Sequence, residues 1–320
     1  MKYWIFVLLG LLLVPGMIAC DAKEYPAVTT AGFMNPEIPQ TPIKISASST
    51  PFTPPTSLTP TITPSPTESP LALLTPTRHS PTPVSCTEET GRIEERQLES
   101  ELLDDPLDYL VYLPPCYSER LDLRYPVLYL IHGQTYTNRH WIDLGVTDLA
   151  DRLISNREVA PFIMIFPYDR DHYKPPTTNL FGDAVLFELI PAIDRDFRTI
   201  PNRDHRAIGG ISRGGNWAAH LGLQHPELFN AIGLHSTPIF SVDTNREIIE
   251  WIEAIPLEEF PRLFIDIGEN DRWLTYTLIF EDLLNKANIP YEWYLYPGFH
   301  EDDYWKAHLE QYIRWYTREW

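Results

Sequence analysis

Gly210-Ile211-Ser212-Arg213-Gly214 constrains this chain more than any other stretch. Before it, His205-Arg206-Ala207-Ile208 reads as the end of a buried strand. After it, Trp217, Ala218, Leu221 and Leu223 mark a helix that His225-Pro226 stops. A strand that becomes a helix within so few residues brings the positions two before and two after the serine almost into contact, so both must lack a Cβ. So sharp a turn holds the Ser212 hydroxyl proud of a sheet, where a base and a carbonyl group can reach it. The blander reading is a glycine-rich βα turn with an idle serine. The surrounding strand and helix, and the residues downstream, favour the reactive one.

Apolar runs predict strands at Tyr109 to Leu113, Val127 to Ile131, Phe162 to Phe166, Ala231 to Leu234, Leu263 to Ile267 and Tyr291 to Tyr296. Amphipathic segments lie between several of them. Leu186, Ile190, Ile193 and Phe197 form one stripe, with a kink expected at Pro191. Ile279, Leu283 and Leu284 belong to a second. Trp305, Leu309, Ile313 and Tyr316 form a last one, whose start is marked by Glu301, Asp302 and Asp303, suited to a positive helix end. Near-continuous apolar strands alternating with helices imply an α/β fold with a mostly parallel central sheet and helices on both faces. Sites in such folds form at the carboxyl ends of strands.

Three strand ends carry chemistry besides Ser212. Tyr129 to Ile131 runs into His132-Gly133-Gln134, where the backbone N–H of Gln134, with that of Arg213, would face one point above Ser212. Such a pair of donors answers the negative charge that grows on a carbonyl oxygen during acyl transfer, each worth ~3 kcal/mol. His132 itself reads as structural, as do His225 and His235. Asp266-Ile-Gly268-Glu269-Asn270-Asp271 ends a strand in a carboxylate-rich loop, and Tyr296-Pro-Gly-Phe-His300 closes the last strand on a histidine. The order serine, acid, histidine is that of the α/β-hydrolase triad. His300 would take the Ser212 proton, and an acid would fix the imidazole tautomer and stabilise the imidazolium. Asp271 is the expected acid. Glu269 enters the loop first and stays open as an alternative, whereas Asp266 sits in or beside the strand with little reach.

These segments, together with Tyr125-Pro-Val-Leu-Tyr-Leu-Ile-His-Gly, Trp141 and His225-Pro-Glu-Leu-Phe229, resemble the putative-esterase family of α/β hydrolases. That family includes feruloyl and acetylxylan esterases, enterochelin esterases, S-formylglutathione hydrolases and the mycobacterial mycolyltransferases. The resemblance spans residues 86–320. It implies the α/β-hydrolase fold and a serine esterase that works through an acyl-serine on a small-molecule or carbohydrate ester. Residue by residue it implies Ser212 as nucleophile, Asp271 as acid, His300 as base, and the Gln134 and Arg213 amides as oxyanion donors. The sequence offers no Cys/His ligand cluster and no phosphate-binding glycine loop, so neither a metal nor an organic cofactor is expected. Arg213 stands where many members carry methionine or another uncharged residue, which suggests an entrance favouring anionic or polar substrates. An acyltransferase would use the same residues, and a non-catalytic surface-binding lipoprotein would need none of them.

The N-terminal residues address location. Lys2, the apolar run Tyr3 to Val14, the break at Pro15-Gly16 and Met17-Ile-Ala-Cys20 read as an export signal, residues 1–20. Its end resembles a bacterial lipobox, which implies cleavage before Cys20, a diacylglycerol on its thiol and an outward-facing membrane lipoprotein; an uncleaved anchor or plain secretion stays open. Residues 21–85 hold 14 of the chain's 31 prolines among Thr and Ser, the composition of a disordered, extended linker. Residues 1–85 carry four basic and four acidic side chains, so the whole net charge of −19 falls on residues 86–320. A field of that sign repels nucleic-acid phosphates and anionic lipid head groups, so neither is an expected partner. Cys86 and Cys116 remain, and in an exported protein they most simply pair, with two free thiols as the alternative.

Overall fold

The computed structural model describes residues 86–240 and 242–320; the signal segment, Cys20 and the linker lie outside the described residues. Eight strands form one sheet: β1 (Arg92–Leu98), β2 (Leu107–Leu113), β3 (Val127–Ile131), β4 (Ile163–Pro167), β5 (Arg206–Ile211), β6 (Ala231–His235), β7 (Arg262–Gly268) and β8 (Glu292–Tyr296). Their spatial order is β1-β2-β4-β3-β5-β6-β7-β8. β1 and β2 run antiparallel to their neighbours, and β3 to β8 run parallel.

Side chains alternate across the sheet with period two, and two cores result. Tyr109, Val111, Tyr129 and Ile131 face one core; Leu110, Tyr112, Leu128 and Leu130 face the other. The second core is covered by α1 (His140–Asp143), α2 (Val146–Ser155) and α8 (Asp302–Thr317). The first lies under α3 (Phe181–Ala184), α4 (Ile190–Asp196), α5 (Arg213–Gln224), α6 (Asn245–Ala254) and α7 (Leu274–Lys286). Fully burying each large apolar side chain stabilises by about 1.5–3 kcal/mol before entropy is counted.

β1 was not among the expected strands. Its sequence is rich in charge and mostly exposed, as an edge strand can be. The kink expected at Pro191 takes a specific form. Between α3 and α4 the chain makes a π-helical turn, Val185–Leu189, which ends just before the proline. An irregular turn there accommodates a residue with no N–H and a ring that crowds the preceding turn.

α8 reaches the sheet through its hydroxyls. Gly209 and Gly233 pair across β5 and β6. A Cβ on either would lie 1.7 or 1.8 Å from the Tyr316 hydroxyl, so the bare backbone is what lets that hydroxyl settle on the sheet. There it lies 3.0 Å from Nε2 of buried His235, whose Nδ1 donates to Asp266 (2.7 Å). The other Asp266 oxygen accepts from Tyr304 (2.9 Å) and Tyr312 (2.6 Å), both on α8. Burial, then the nearby Asp266 charge, pushes both tyrosine pKa values far up, so they remain donors.

A disulfide joins Cys86 to Cys116 across 30 residues, enclosing β1 and β2. Closing a loop of that length constrains the unfolded chain, so reduction should lower unfolding stability by about 2–4 kcal/mol. Urea unfolding of the folded protein with and without reductant measures this. Equal midpoints, with thiol titration confirming reduction, would refute it.

Candidate active site

β5 ends at Ile211 and α5 begins at Arg213, leaving Ser212 alone in the turn with φ 54° and ψ −117°. The expected crowding is present. A Cβ on Gly210 would lie 2.1 Å from the Gly214 carbonyl carbon, and one on Gly214 would lie 2.1 Å from the Ile131 oxygen. The second contact seats the start of α5 against the end of β3, beside His132-Gly133-Gln134.

Three strand ends then meet. His300 Nε2 lies 2.9 Å from Ser212 Oγ, and His300 Nδ1 lies 2.8 Å from Asp271 Oδ2. The second Asp271 oxygen accepts the Trp273 N–H at 2.8 Å, which fixes the carboxylate's rotation. An ionised carboxylate accepts only, so Nδ1 carries the proton and Nε2 offers its lone pair to the serine hydroxyl. Asp271 is buried and Glu269 is exposed. Asp266 is engaged with His235 and the α8 tyrosines, leaving Asp271 as the loop carboxylate in contact with His300. Trp305 of α8 sets its ring edge-on to His300 at 5.1 Å and donates to Ser236 Oγ at 3.0 Å.

Gln134 and Arg213 border the same cleft as Ser212 and His300. The Gly133 carbonyl accepts from His132 Nδ1 (2.7 Å) and from the Tyr136 N–H (3.1 Å). In a trans peptide the carbonyl and the next N–H point opposite ways. Those two bonds therefore aim the Gln134 N–H away from His132. The Arg213 N–H stands at the first turn of α5, where helix amides lack internal acceptors and the dipole is positive.

His132 has the structural place expected of it. It is buried, its Nε2 accepts the Asp169 N–H (3.0 Å), and burial holds its pKa well below the ordinary value. His225 pairs with Glu227 in a surface turn, and His235 is enclosed at the end of β6.

Arg213 corrects the sequence reading. Its guanidinium is buried rather than turned to the entrance, with Nε donating to Asp169 Oδ2 (2.8 Å) and a terminal nitrogen to the Lys174 carbonyl (2.8 Å). Its charge is therefore spent inside. Asp169, which the sequence analysis passed over, also accepts from Trp217 (2.9 Å) and Asn179 (2.8 Å). Its signal was present all the same: it follows β4 at the carboxyl edge, where the other site residues lie.

The cleft has a volume of about 460 Å³. Tyr136, Phe240, Trp273, Tyr276 and Trp305 supply its aromatic lining, and Asn216 and Arg272 supply polar groups.

A family model described as "Putative esterase" matches residues 100–316. The chain belongs to this family. Among curated relatives, an endo-1,4-beta-xylanase/feruloyl esterase of Xylanibacter ruminicola is 35% identical over 136 residues, 39% of this chain and 19% of that protein. Esterase Rv1288 of Mycobacterium tuberculosis is 32% identical over 124 residues, 36% of this chain and 25% of that protein. The chain thus spans a quarter or less of the length of these relatives. Among solved structures, a ferulic acid esterase superposes with a TM-score of 0.65 at 26% identity, covering 72% of this chain and 100% of that one. An S-formylglutathione hydrolase from Agrobacterium tumefaciens gives 0.59 at 17% identity, covering 74% and 98%, a likeness of fold. These comparisons place the described domain in the α/β-hydrolase fold and in the putative-esterase family.

Removing one partner of a buried ion pair leaves the other charge uncompensated, at about 3–5 kcal/mol. Arg213→Met should therefore destabilise the fold by roughly 3 kcal/mol, the remaining donors to Asp169 softening the loss. Denaturant unfolding of both proteins is the measurement. A change below about 1 kcal/mol would mean that the pair contributes little.

Proposed function

We propose that the chain is an exported serine esterase that cleaves carboxylic esters, feruloyl-type esters among them, through an acyl-Ser212 intermediate. The observation that carries this reading is the unbroken line of contacts from Asp271 through His300 to Ser212, opening on a cleft bordered by the Gln134 and Arg213 amides. Ser212 Oγ attacks the ester carbonyl while His300 Nε2 takes its proton, and Asp271 stabilises the imidazolium. The Gln134 and Arg213 N–H groups bind the oxyanion. His300 returns the proton to the departing alcohol oxygen. Water, deprotonated by the same nitrogen, then attacks the acyl carbon, and the imidazolium gives that proton to Ser212 Oγ as the C–Oγ bond breaks and the acid departs.

Two observations support an aromatic acyl group. The cleft volume suits a small-molecule ester, and five aromatic side chains line it. The names of two relatives, a xylanase/feruloyl esterase and a ferulic acid esterase, point the same way.

For the rest of the chain we propose a lipoprotein signal over residues 1–20, a linker over 21–85 and one esterase domain over 86–320. The acylated Cys20 would hold that domain to a membrane, facing outward. Two acyl chains anchor stably where one does so marginally.

Assay on p-nitrophenyl, acetylated-sugar and feruloyl esters tests the reaction, and a fluorophosphonate probe should label wild type but not Ser212→Ala. Absence of both hydrolysis and labelling would overturn the esterase reading. Asp271→Asn should lower kcat by at least ~10², since it favours the wrong histidine tautomer, as in the serine-protease case. Glu269→Gln should stay close to wild type. The reverse ranking in folded variants would move the acid to Glu269. Cys20→Ser should abolish lipidation and release the protein or leave its precursor unprocessed. Identical mature mass and membrane partition for both forms would refute the anchor.

A further inference from the structure

Gly133 is held on both sides of its α-carbon. Besides the bonds to its carbonyl, its buried N–H donates to Nδ1 of His140 at 3.3 Å. A ring that accepts at Nδ1 carries its proton on Nε2, and that nitrogen lies 3.2 Å from Asp302 Oδ1. The same carboxylate oxygen accepts the Tyr136 hydroxyl at 2.7 Å. The Tyr136 ring stacks on His140 with centroids 3.6 Å apart and planes 12° from parallel. Trp305 meets His140 edge-on at 5.6 Å, as it meets His300 at 5.1 Å. His140 is 2% exposed, and burial lowers its pKa from the ordinary value, which favours the neutral ring needed to accept.

None of these contacts belongs to the relay through Ser212, yet all converge on the segment that carries the Gln134 amide. Asp302 opens α8 two residues after His300. One carboxylate thus ties the Gly133–Tyr136 loop to the turn that presents the base. We propose that His140, oriented by Asp302, is a positioning residue that holds the Gly133-Gln134 segment so that the Gln134 N–H meets the oxyanion as it forms. This rests on the esterase reading above. Glycine has the widest choice of backbone conformations, so Gly133 needs outside bonds to keep one orientation. A donor aimed at developing charge acts in the transition state more than in the bound ester, and its misalignment therefore lowers kcat rather than raising KM.

Steady-state kinetics on a p-nitrophenyl ester, using the full chain, tests this with three variants. His140→Leu removes the acceptor. His140→Asn puts an amide oxygen near the place of Nδ1. Asp302→Ala removes the orienting carboxylate from a half-exposed helix end and keeps the test available if His140→Leu does not fold. Removing an oxyanion donor outright costs ~10²–10³ in kcat, so loosening one should cost roughly 10–50-fold in His140→Leu, with KM within about twofold. His140→Asn should recover kcat to within about threefold of wild type, and Asp302→Ala should fall between them. Wild-type kcat in folded His140→Leu, equal losses in His140→Leu and His140→Asn, or a change confined to KM would each overturn the proposal. So would wild-type kcat in Asp302→Ala if His140→Leu does not fold. Fluorophosphonate labelling of the wild type separates the two failures. A wild type that neither labels nor hydrolyses sinks the esterase reading; an active wild type with indifferent variants sinks only this one.

Discussion

The cleft depends on one close approach of backbone to backbone, at Gly210 and Gly214. Because neither carries a Cβ, the chain can reverse between β5 and α5 with only Ser212 in the turn. A serine at φ 54° and ψ −117° is strained by about 1–3 kcal/mol, and such strain persists only where the surroundings dictate it. Here they do. Gly214 abuts the end of β3, the Ser212 N–H is bonded to the His235 carbonyl (2.8 Å), and Trp217 is wholly buried one turn further on. The same packing sets the first turn of α5 beside Gly133-Gln134, so the positive end of the helix and the loop amide face one cleft.

Buried acids at the sheet's carboxyl edge do the remaining work, and each is supplied with donors. Asp169 takes Arg213, Trp217 and Asn179; Asp266 takes His235, Tyr304 and Tyr312; Asp271 takes His300 and the Trp273 amide. Burying a carboxylate without such bonds is prohibitive. A chain with a net charge of −19 therefore keeps its surplus acids at the surface and gives its inner ones specific partners. The two clusters on Asp169 and Asp266 flank the elbow, one holding the side chain of Arg213, the other holding α8 against β6 and β7.

Local pattern carried most of the fold. The expected strands are all present, most as near-continuous apolar runs between two covered faces and β8 as a partly exposed edge, and Ser212, Asp271 and His300 stood out because each follows an expected strand. β1 was illegible, since Arg92-Ile-Glu-Glu-Arg-Gln-Leu98 is an exposed edge whose one constraint is its ladder to β2. Arg213 was misread for a different reason. Its position next to Ser212 is local information, but the destination of its charge is Asp169, in a loop 44 residues away. The Asp266 cluster depends likewise on tyrosines 38 and 46 residues further along, at a spacing no periodicity marks. His140 drew no reading from the sequence, because nothing near it announces Asp302, 162 residues further along.

The disulfide has a mechanical meaning. β1 lies between Cys86 and Cys116, and without a covalent shortcut a pull on the chain upstream of Cys86 would run straight into this edge strand. Edge strands come away one hydrogen bond at a time when drawn from an end, like a zip. With the bridge in place, tension passes from Cys86 to Cys116 and enters the sheet at the end of β2, an interior strand bonded on both sides. β1 becomes a slack bypass, and a pull on the chain ahead of Cys86 is borne by an interior strand of the sheet.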